Sequence, residues 1–150
     1  VDREDLKYKF LNAFDNEMIK VIGGKKNFQK YPVEKLWEKD DDQVLAFKRG
    51  DLVFVFNFNP VKSFADYGIL APEGEYSGVM NSDAPEFGGH GNICDDVKHF
   101  THHDELYSKY GVSWLKLYLP SRTVQVLRLK KTRKPVAKKK SVKKSLTKKK

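Results

Sequence analysis

The stretch that decides the fold is Leu52-Val53-Phe54-Val55-Phe56-Asn57-Phe58, in which six of the seven side chains are apolar. Successive side chains of a β-strand point to opposite faces of its sheet, so a strand that is apolar at odd and even positions needs cover on both faces. Valine and phenylalanine favour a strand over a helix. We therefore predict a central strand, which Asn59-Pro60 ends.

Further strands are predicted on both sides of this run. Arg49-Gly50 precedes it and suits a hairpin, because glycine adopts the positive φ that a tight turn needs. Valine, phenylalanine, tyrosine, tryptophan and leucine recur with a period of two in the remaining predicted strands. The predicted strands are residues 33–39, 43–49, 52–58, 75–81, 114–119 and 123–129. Short strands joined by Gly- and Pro-rich turns indicate an all-β fold, which we predict to be an antiparallel Greek-key β-sandwich.

One α-helix is predicted at residues 5–22. Its apolar residues recur at steps of three and four, so they form one stripe along the helix, and Gly23-Gly24 ends the pattern. The residues of the stripe are Leu6, Phe10, Leu11, Phe14, Met18, Val21 and Ile22.

Residues 83–113 interrupt the strand pattern. They contain four of the ten glycines and all four histidines. A loop of this length in a small domain is typically functional, mobile or part of an interface.

The positive charge is concentrated at the C-terminal end. The net charge is +9, yet twelve of the 29 Lys and Arg residues lie in 130–150, where no acidic residue occurs. Residues 1–129 therefore carry 17 basic and 20 acidic side chains. A basic tail on a mildly acidic domain is weak evidence for an anionic partner of the domain itself.

The length of 150 residues suits one domain. No apolar run approaches the roughly 20 residues of a membrane span, and no apolar signal segment follows the charged residues 1–5. Cys94 is the only cysteine, so an internal disulfide is impossible. We therefore expect a cytoplasmic protein without membrane contact.

Several motifs occur together in one known family. They are residues 10–15 (FLNAFD) with Met18, 46–60 (AFKRGDLVFVFNFNP), 63–68 (SFADYG), 81–90 (NSDAPEFGGH) and 118–123 (YLPSRT). With these motifs in order, residues 6–129 resemble the C-terminal all-β domain of glycogen and starch branching enzymes.

The resemblance implies an accessory domain of a 1,4-α-glucan-branching enzyme of the α-amylase superfamily, which makes glycogen or starch by transferring cut α-1,4 chains to α-1,6 linkages. The catalytic residues of that family lie on a (β/α)8 barrel of about 250 residues, which this chain is too short to contain. We therefore expect no catalytic residue and no cofactor here, and an inactive chain when alone. The catalytic barrel is the expected partner, and α-glucan is a possible second one.

The resemblance also divides the chain. Residues 1–24 correspond to a helix at the junction with the barrel, 25–129 to the β-sandwich, and 130–150 to a Lys-rich tail that we predict to be disordered. Two alternatives stay open: a stand-alone carbohydrate-binding module, and a polyanion- or nucleic-acid-binding protein acting through the tail. Clustered lysines bind polyanions weakly and in a salt-sensitive manner.

Aromatic side chains are the candidates for contact with glucan, because a flat ring fits the apolar face of a pyranose. Trp37, Tyr67, Phe87, Tyr107 and Tyr110 lie at predicted strand ends or in predicted loops. Tyr67 and Phe87 are our predicted glucan contacts, since Gly and Asp neighbours place them at loop edges. The alternative for each of the five is a place in the core.

Two other groups of polar residues are predicted to have no chemical role. Asp83 and Glu86 are a tempting pair for glycoside chemistry, yet the sequence between them is typical of a solvated turn. Cys94 with the histidines of residues 99–103 has the residue types of a zinc site, but the spacing matches no structural zinc pattern. We expect Cys94 to be a small buried side chain, and we expect no metal.

Overall fold

The computed structural model describes residues 7–23 and 28–130. The Lys-rich segment after Lys130, and Asp5 and Leu6 of the predicted helix, lie outside these ranges. The helix is α1 (Tyr8–Gly23), and the strands are β1 (Val33–Lys39), β2 (Val44–Arg49), β3 (Leu52–Asn57), β4 (Phe64–Pro72), β5 (Glu75–Asn81), β6 (Lys98–Phe100), β7 (Val112–Leu119) and β8 (Thr123–Lys130). Short 3-10 turns cover Phe28–Lys30, Pro85–Phe87 and Ser108–Tyr110.

The strands form two antiparallel sheets. The first has six strands in the order β1-β2-β3-β8-β5-β6, and the second pairs β4 with β7. The last strand, β8, enters between β3 and β5, so the spatial order departs from the order along the chain. Strand β3 lies inside the larger sheet and is buried at every position except the half-buried Phe56. The predicted all-β fold and its central strand are confirmed.

The main core lies between the two sheets. Strands β2 and β3 contribute Val44, Ala46, Val53 and Val55, and the smaller sheet contributes its own apolar residues from the opposite side. These are Ile69 and Ala71 of β4 with Leu115, Leu117 and Leu119 of β7. Because β7 alternates buried and exposed residues along most of its length, its other face points away from this core.

A second core lies on the opposite face of the six-stranded sheet, beneath α1. Leu52, Phe54, Met80 and Val126 of the sheet are buried there with Phe28. The helix covers them with Phe14, Met18, Val21 and Ile22, none of which is fully buried. The molecule therefore has three layers: a helix, a six-stranded sheet and a two-stranded sheet. No helix in the ranges 7–23 and 28–130 is long and apolar enough to cross a membrane.

Two strands were not predicted. In β4 the pairing with β7 shifts between Phe64 and Tyr67, so its side chains do not follow a period of two. Strand β6 has only three residues and pairs with the first half of β5. It lies within the predicted loop 83–113, which therefore contains a short strand and two 3-10 turns. The last strand also extends one residue further than predicted, to Lys130.

Candidate functional site

Tyr67 lies within β4 and not at a loop edge, and its hydroxyl already has two partners. Trp37 Nε1 donates a hydrogen bond to Tyr67 Oη at 3.2 Å, and Tyr67 Oη donates to Asp42 Oδ2 at 2.8 Å. The side chain is half-buried and packs against Phe64, with 4.9 Å between ring centroids. Burial is the main reason that the pKa of Tyr67 is raised, and the acceptor Asp42 adds to it. The polar end of Tyr67 is thus engaged within the protein.

The other aromatic residues near Tyr67 form edge-to-face contacts. Trp114 meets Trp37 at 5.6 Å and Tyr107 at 5.7 Å between ring centroids. The indole Nε1 of Trp114 donates to Asp104 Oδ2 at 3.1 Å. These contacts join β1 of the larger sheet to β7 of the smaller one, so the cluster holds the two sheets together.

Phe87 lies on the other side of the molecule from Tyr67. It ends the 3-10 turn Pro85–Phe87 and packs edge-to-face with Phe14 of α1, with 5.4 Å between the ring centroids. It packs against the core beneath α1, whereas Tyr67 packs against the core between the sheets. The six-stranded sheet separates the two residues, so they do not form one site. Their assignment as glucan contacts stays a prediction.

Asp83 is buried, and the prediction of a solvated turn is wrong for this residue. Only 3% of it is exposed, and its two carboxylate oxygens accept from the backbone N–H groups of His90 at 3.1 Å and Asn92 at 2.6 Å. A carboxylate satisfied by backbone donors in this way organises the loop around it. Glu86 is exposed, and the pair is divided between interior and surface.

Cys94 is exposed, which corrects the prediction of a buried side chain. It follows an open loop segment that ends near Asp95, where the chain passes close to Gly78 of β5. His99 is half-buried in β6, and burial lowers its pKa, so it favours the neutral form. His102 and His103 are exposed. Within residues 7–23 and 28–130, no three His, Cys, Asp or Glu side chains are grouped so that they could hold a metal ion.

Ser113, Glu73 and His103 have the residue types of a hydrolytic triad, but their order in space is different. The buried Ser113 hydroxyl donates directly to Glu73 Oε1 at 2.8 Å, and His103 Nδ1 lies 3.8 Å from the same oxygen. In a nucleophilic triad the imidazole stands between the hydroxyl and the carboxylate, where it accepts the proton. Here the carboxylate stands between them. The group therefore connects the segment after β4 to β7 without activating the serine.

Part of α1 faces solvent with apolar side chains. At about 100° per residue, Tyr8, Leu11 and Ile19 fall within one arc of the helix surface. Tyr8 and Ile19 lie beside the stripe that covers the sheet, and Leu11 continues that stripe toward the start of the helix. They are 51%, 57% and 67% exposed, respectively. We call these three residues the exposed helix arc. Large apolar side chains grouped on one side of a helix are typical of a surface that meets another domain.

An open groove lies at the end of the sandwich where β3 begins. Its volume is about 800 Å³, and two exposed tyrosines, Tyr31 and Tyr110, belong to its lining. The sequence interpretation included Tyr110 among the aromatic candidates but missed Tyr31. The residue stands alone before β1, in none of the motifs, so the only signal in the sequence is an aromatic residue beside Pro32.

Comparisons with known proteins agree with each other. A family model described as the alpha amylase, C-terminal all-beta domain matches residues 37–130. The 1,4-alpha-glucan-branching enzyme of Eremothecium gossypii is 40% identical over 128 residues, which are 85% of this chain and 18% of that protein. The enzyme of the same name from Solanum tuberosum is 45% identical over 102 residues, 67% of this chain and 12% of that protein. That of Dictyostelium discoideum is 38% identical over 131 residues, 82% of this chain and 18% of that protein. The chain spans less than a fifth of the length of these curated relatives.

Proposed function

Because this chain belongs to the family of alpha-amylase C-terminal all-beta domains, we propose that it is the accessory C-terminal domain of a 1,4-α-glucan-branching enzyme. The resemblance inferred from the sequence motifs is thereby confirmed at the level of the family. The function we assign is to complete and stabilise the catalytic part of the parent enzyme. The lone and exposed Cys94 is compatible with a reducing compartment, and we place the parent in the cytoplasm.

The observation that carries this proposal is the exposed helix arc. Its neighbours Phe14 and Met18 are already covered by the sheet, so the arc is a second apolar surface that the domain does not use itself. Full burial of a side chain such as leucine or isoleucine contributes about 1.5–3 kcal/mol. Docking of Leu11 and Ile19 against the catalytic part would therefore stabilise both partners.

A chimera tests this proposal. The matching 18% of the Eremothecium gossypii enzyme is replaced by this chain, and branching activity and thermal unfolding are measured beside the enzyme truncated at the same point. We expect the chimera to branch amylose and to unfold at a higher temperature than the truncated enzyme. An activity no higher than that of the truncated enzyme would contradict the proposal.

Two substitutions separate docking from folding. Ile19→Asp should lower the unfolding temperature of the chimera while leaving that of the isolated chain almost unchanged, because the residue is 67% exposed here. The matched control is Leu106→Asp. Leu106 is 68% exposed and lies in a loop beside the two-stranded sheet, away from α1. If both substitutions affect the chimera equally, the exposed helix arc is not the docking surface.

Binding of α-glucan and of polyanions is proposed as well. Tyr67 and Phe87 are proposed contacts for α-glucan, each on its own side of the six-stranded sheet. Weak polyanion binding by the Lys-rich tail concerns residues outside the part that the structure describes. Binding of carbohydrate by the domain alone is favoured by a separate observation, the groove at the end of the sandwich.

A further inference from the structure

The groove at the end of the sandwich is formed where the ends of several strands meet. The start of β1 and the turn between β2 and β3 form one wall, and the end of β4 with the start of β7 forms the other. Leu129 of β8 lies between them. The volume of about 800 Å³ lies within the range of roughly 300–1,000 Å³ found for small-ligand sites.

Tyr31 is held in place on the first wall by its backbone and by one side of its ring. A Cβ on Gly50 would lie 3.2 Å from Tyr31 Cδ2, so the ring rests directly against this glycine. Arg49 Nε donates to the Tyr31 carbonyl at 2.9 Å, and Arg49 Nη2 donates to the Gln29 carbonyl at 2.9 Å. The guanidinium of Arg49 also stacks over Phe28 at 4.7 Å from the ring centroid.

The consequence is a supported aromatic platform. Tyr31 remains 49% exposed although one side of its ring is covered by Gly50. A ring that is already fixed loses little conformational entropy when a ligand stacks on its free side. Phenylalanine or tyrosine at such a position binds flat apolar surfaces, including the C–H face of a sugar ring.

The opposite wall carries the second aromatic ring. Tyr110 ends the 3-10 turn Ser108–Tyr110 and is 72% exposed. Gly111 follows with φ of 75° and donates its N–H to the Ser108 carbonyl, so the turn that presents Tyr110 is closed by the chain itself. Lys109 Nζ lies 5.0 Å from the centroid of the Tyr110 ring.

The charged residues of the groove are paired. Of the charged residues that line the groove, Lys48 lies with its Nζ 3.1 Å from Glu34 Oε1, and Asp51 lies with its Oδ2 3.8 Å from Nε of Arg128, a residue outside the lining. Since these pairs balance each other, the groove offers charged hydrogen-bonding groups without an excess of either sign. Such a lining suits a neutral ligand rich in hydroxyl groups better than a phosphate or a nucleic acid.

We propose that this groove binds a segment of α-glucan, with Tyr31 and Tyr110 stacking on glucose rings and with Glu34, Lys48 and Asp51 within reach of its hydroxyl groups. The choice of α-glucan among neutral carbohydrates rests on the proposed function. The groove itself rests on the geometry of its walls. It is a binding site and takes no part in bond cleavage.

The test measures the affinity of the full 150-residue chain for maltoheptaose by isothermal titration calorimetry, with cellohexaose as the control for the linkage. Tyr31→Ala and Tyr110→Ala should each raise the Kd about tenfold, the loss expected for one stacking ring. Tyr31→Phe should change the Kd little, because it keeps the ring. Tyr118→Ala is the matched control, since Tyr118 is 39% exposed near the end of β7 and does not line the groove. Near-UV circular dichroism verifies that each variant is folded.

Each result decides the proposal. Weaker binding by both groove variants, with an unchanged Tyr118→Ala, supports it. An unchanged Kd in both groove variants overturns it, as does a folded wild-type chain that does not bind maltoheptaose. Equal affinity for cellohexaose overturns the assignment to α-glucan. The chimera experiment tests the accessory role separately. If the chimera is no more active than the truncated enzyme while maltoheptaose binds at the groove, the accessory role is wrong, and the alternative of a carbohydrate-binding module is supported.

Discussion

Asn57 lies where the β3–β4 turn meets the β7–β8 turn, and its substitution tests how these two connections between the sheets are held together. The residue is 1% exposed at the end of β3. The two N–H groups of its Nδ2 are shared among three carbonyl acceptors, those of Lys62 at 3.0 Å, Leu119 at 3.1 Å and Pro120 at 3.0 Å. Its Oδ1 accepts from the backbone N–H of Asn59 at 3.0 Å. One amide therefore ties the β3–β4 turn to the β7–β8 turn.

The cost of Asn57→Ala follows from the groups that lose a partner. The Pro120 carbonyl keeps a hydrogen bond from Thr123 Oγ1 at 2.7 Å, so its loss is partial. The Asn59 N–H loses its acceptor, Asn57 Oδ1, and the Leu119 carbonyl loses its donor, Asn57 Nδ2. Each buried polar group left unpaired costs about 1–3 kcal/mol. We expect the free energy of unfolding to fall by about 3 kcal/mol, a large share of the roughly 5–15 kcal/mol of a typical domain.

Urea unfolding followed by tryptophan fluorescence measures this change. Asn12→Ala on the exposed surface of α1 is the matched control and should change stability by no more than about 0.5 kcal/mol. A loss below about 1 kcal/mol for Asn57→Ala would refute the reasoning, because it would mean that water or a relaxed turn replaces all four hydrogen bonds.

Asn57→Asp adds a test of sign. A carboxylate there would face three carbonyl oxygens, which raises its pKa above the usual value of about 3.9. The folded state then binds a proton more tightly than the unfolded state, so stability is greatest at low pH and falls as the pH rises through the folded pKa. We expect the deficit of this variant relative to wild type to be smaller at pH 4 than at pH 7. A deficit that shrinks as the pH rises would contradict the geometry.

Two further predictions concern a glycine and a buried phenol. A Cβ on Gly89 would lie 2.2 Å from the backbone of Asp83, so Gly89→Ala should displace the loop. We expect the free energy of unfolding in urea to fall by at least about 2 kcal/mol. The control is Gly23→Ala, whose Cβ would meet nothing within 4 Å and which should not lower stability. Burial raises the pKa of Tyr76, whose hydroxyl donates to the Pro72 carbonyl at 2.6 Å. Stability should therefore fall as the pH rises above the unfolded pKa of about 10, and Tyr76→Phe should flatten that fall; equal slopes would contradict it.

The strands that could be predicted from sequence are those whose pattern is strict. The observed β1 and β5 have the predicted residue bounds, and β3 has the two-sided apolar pattern that a strand inside a sheet requires. Strand β4 was missed because the shift in pairing between Phe64 and Tyr67 destroys the period of two. Strands are predicted from a period of two in the apolar residues, and a bulge breaks this period without removing the strand.

The candidate site was harder to predict, because its parts meet only through the sheets. Tyr31 and Tyr110 are far apart in sequence, and pairing between β1 and β2 and between β4 and β7 brings their walls to one end of the sandwich. Tyr67 and Phe87 were chosen for their Gly and Asp neighbours, which describe local flexibility. They say nothing about the partners of the ring, and in both cases the ring packs against other aromatic residues.

The groove and α1 contact the same core. The proposed binding site is therefore fixed relative to the helix. Phe28 is buried in the core beneath α1, and the half-buried Met18 of α1 packs against this core. Arg49 stacks on Phe28 and also holds the Tyr31 carbonyl. Close-packed side chains move little relative to each other, so Tyr31 keeps a fixed position relative to α1. On the proposed function, a glucan bound at Tyr31 would therefore be held at a fixed distance from whatever partner the exposed helix arc meets, and the domain would place substrate relative to a catalytic domain.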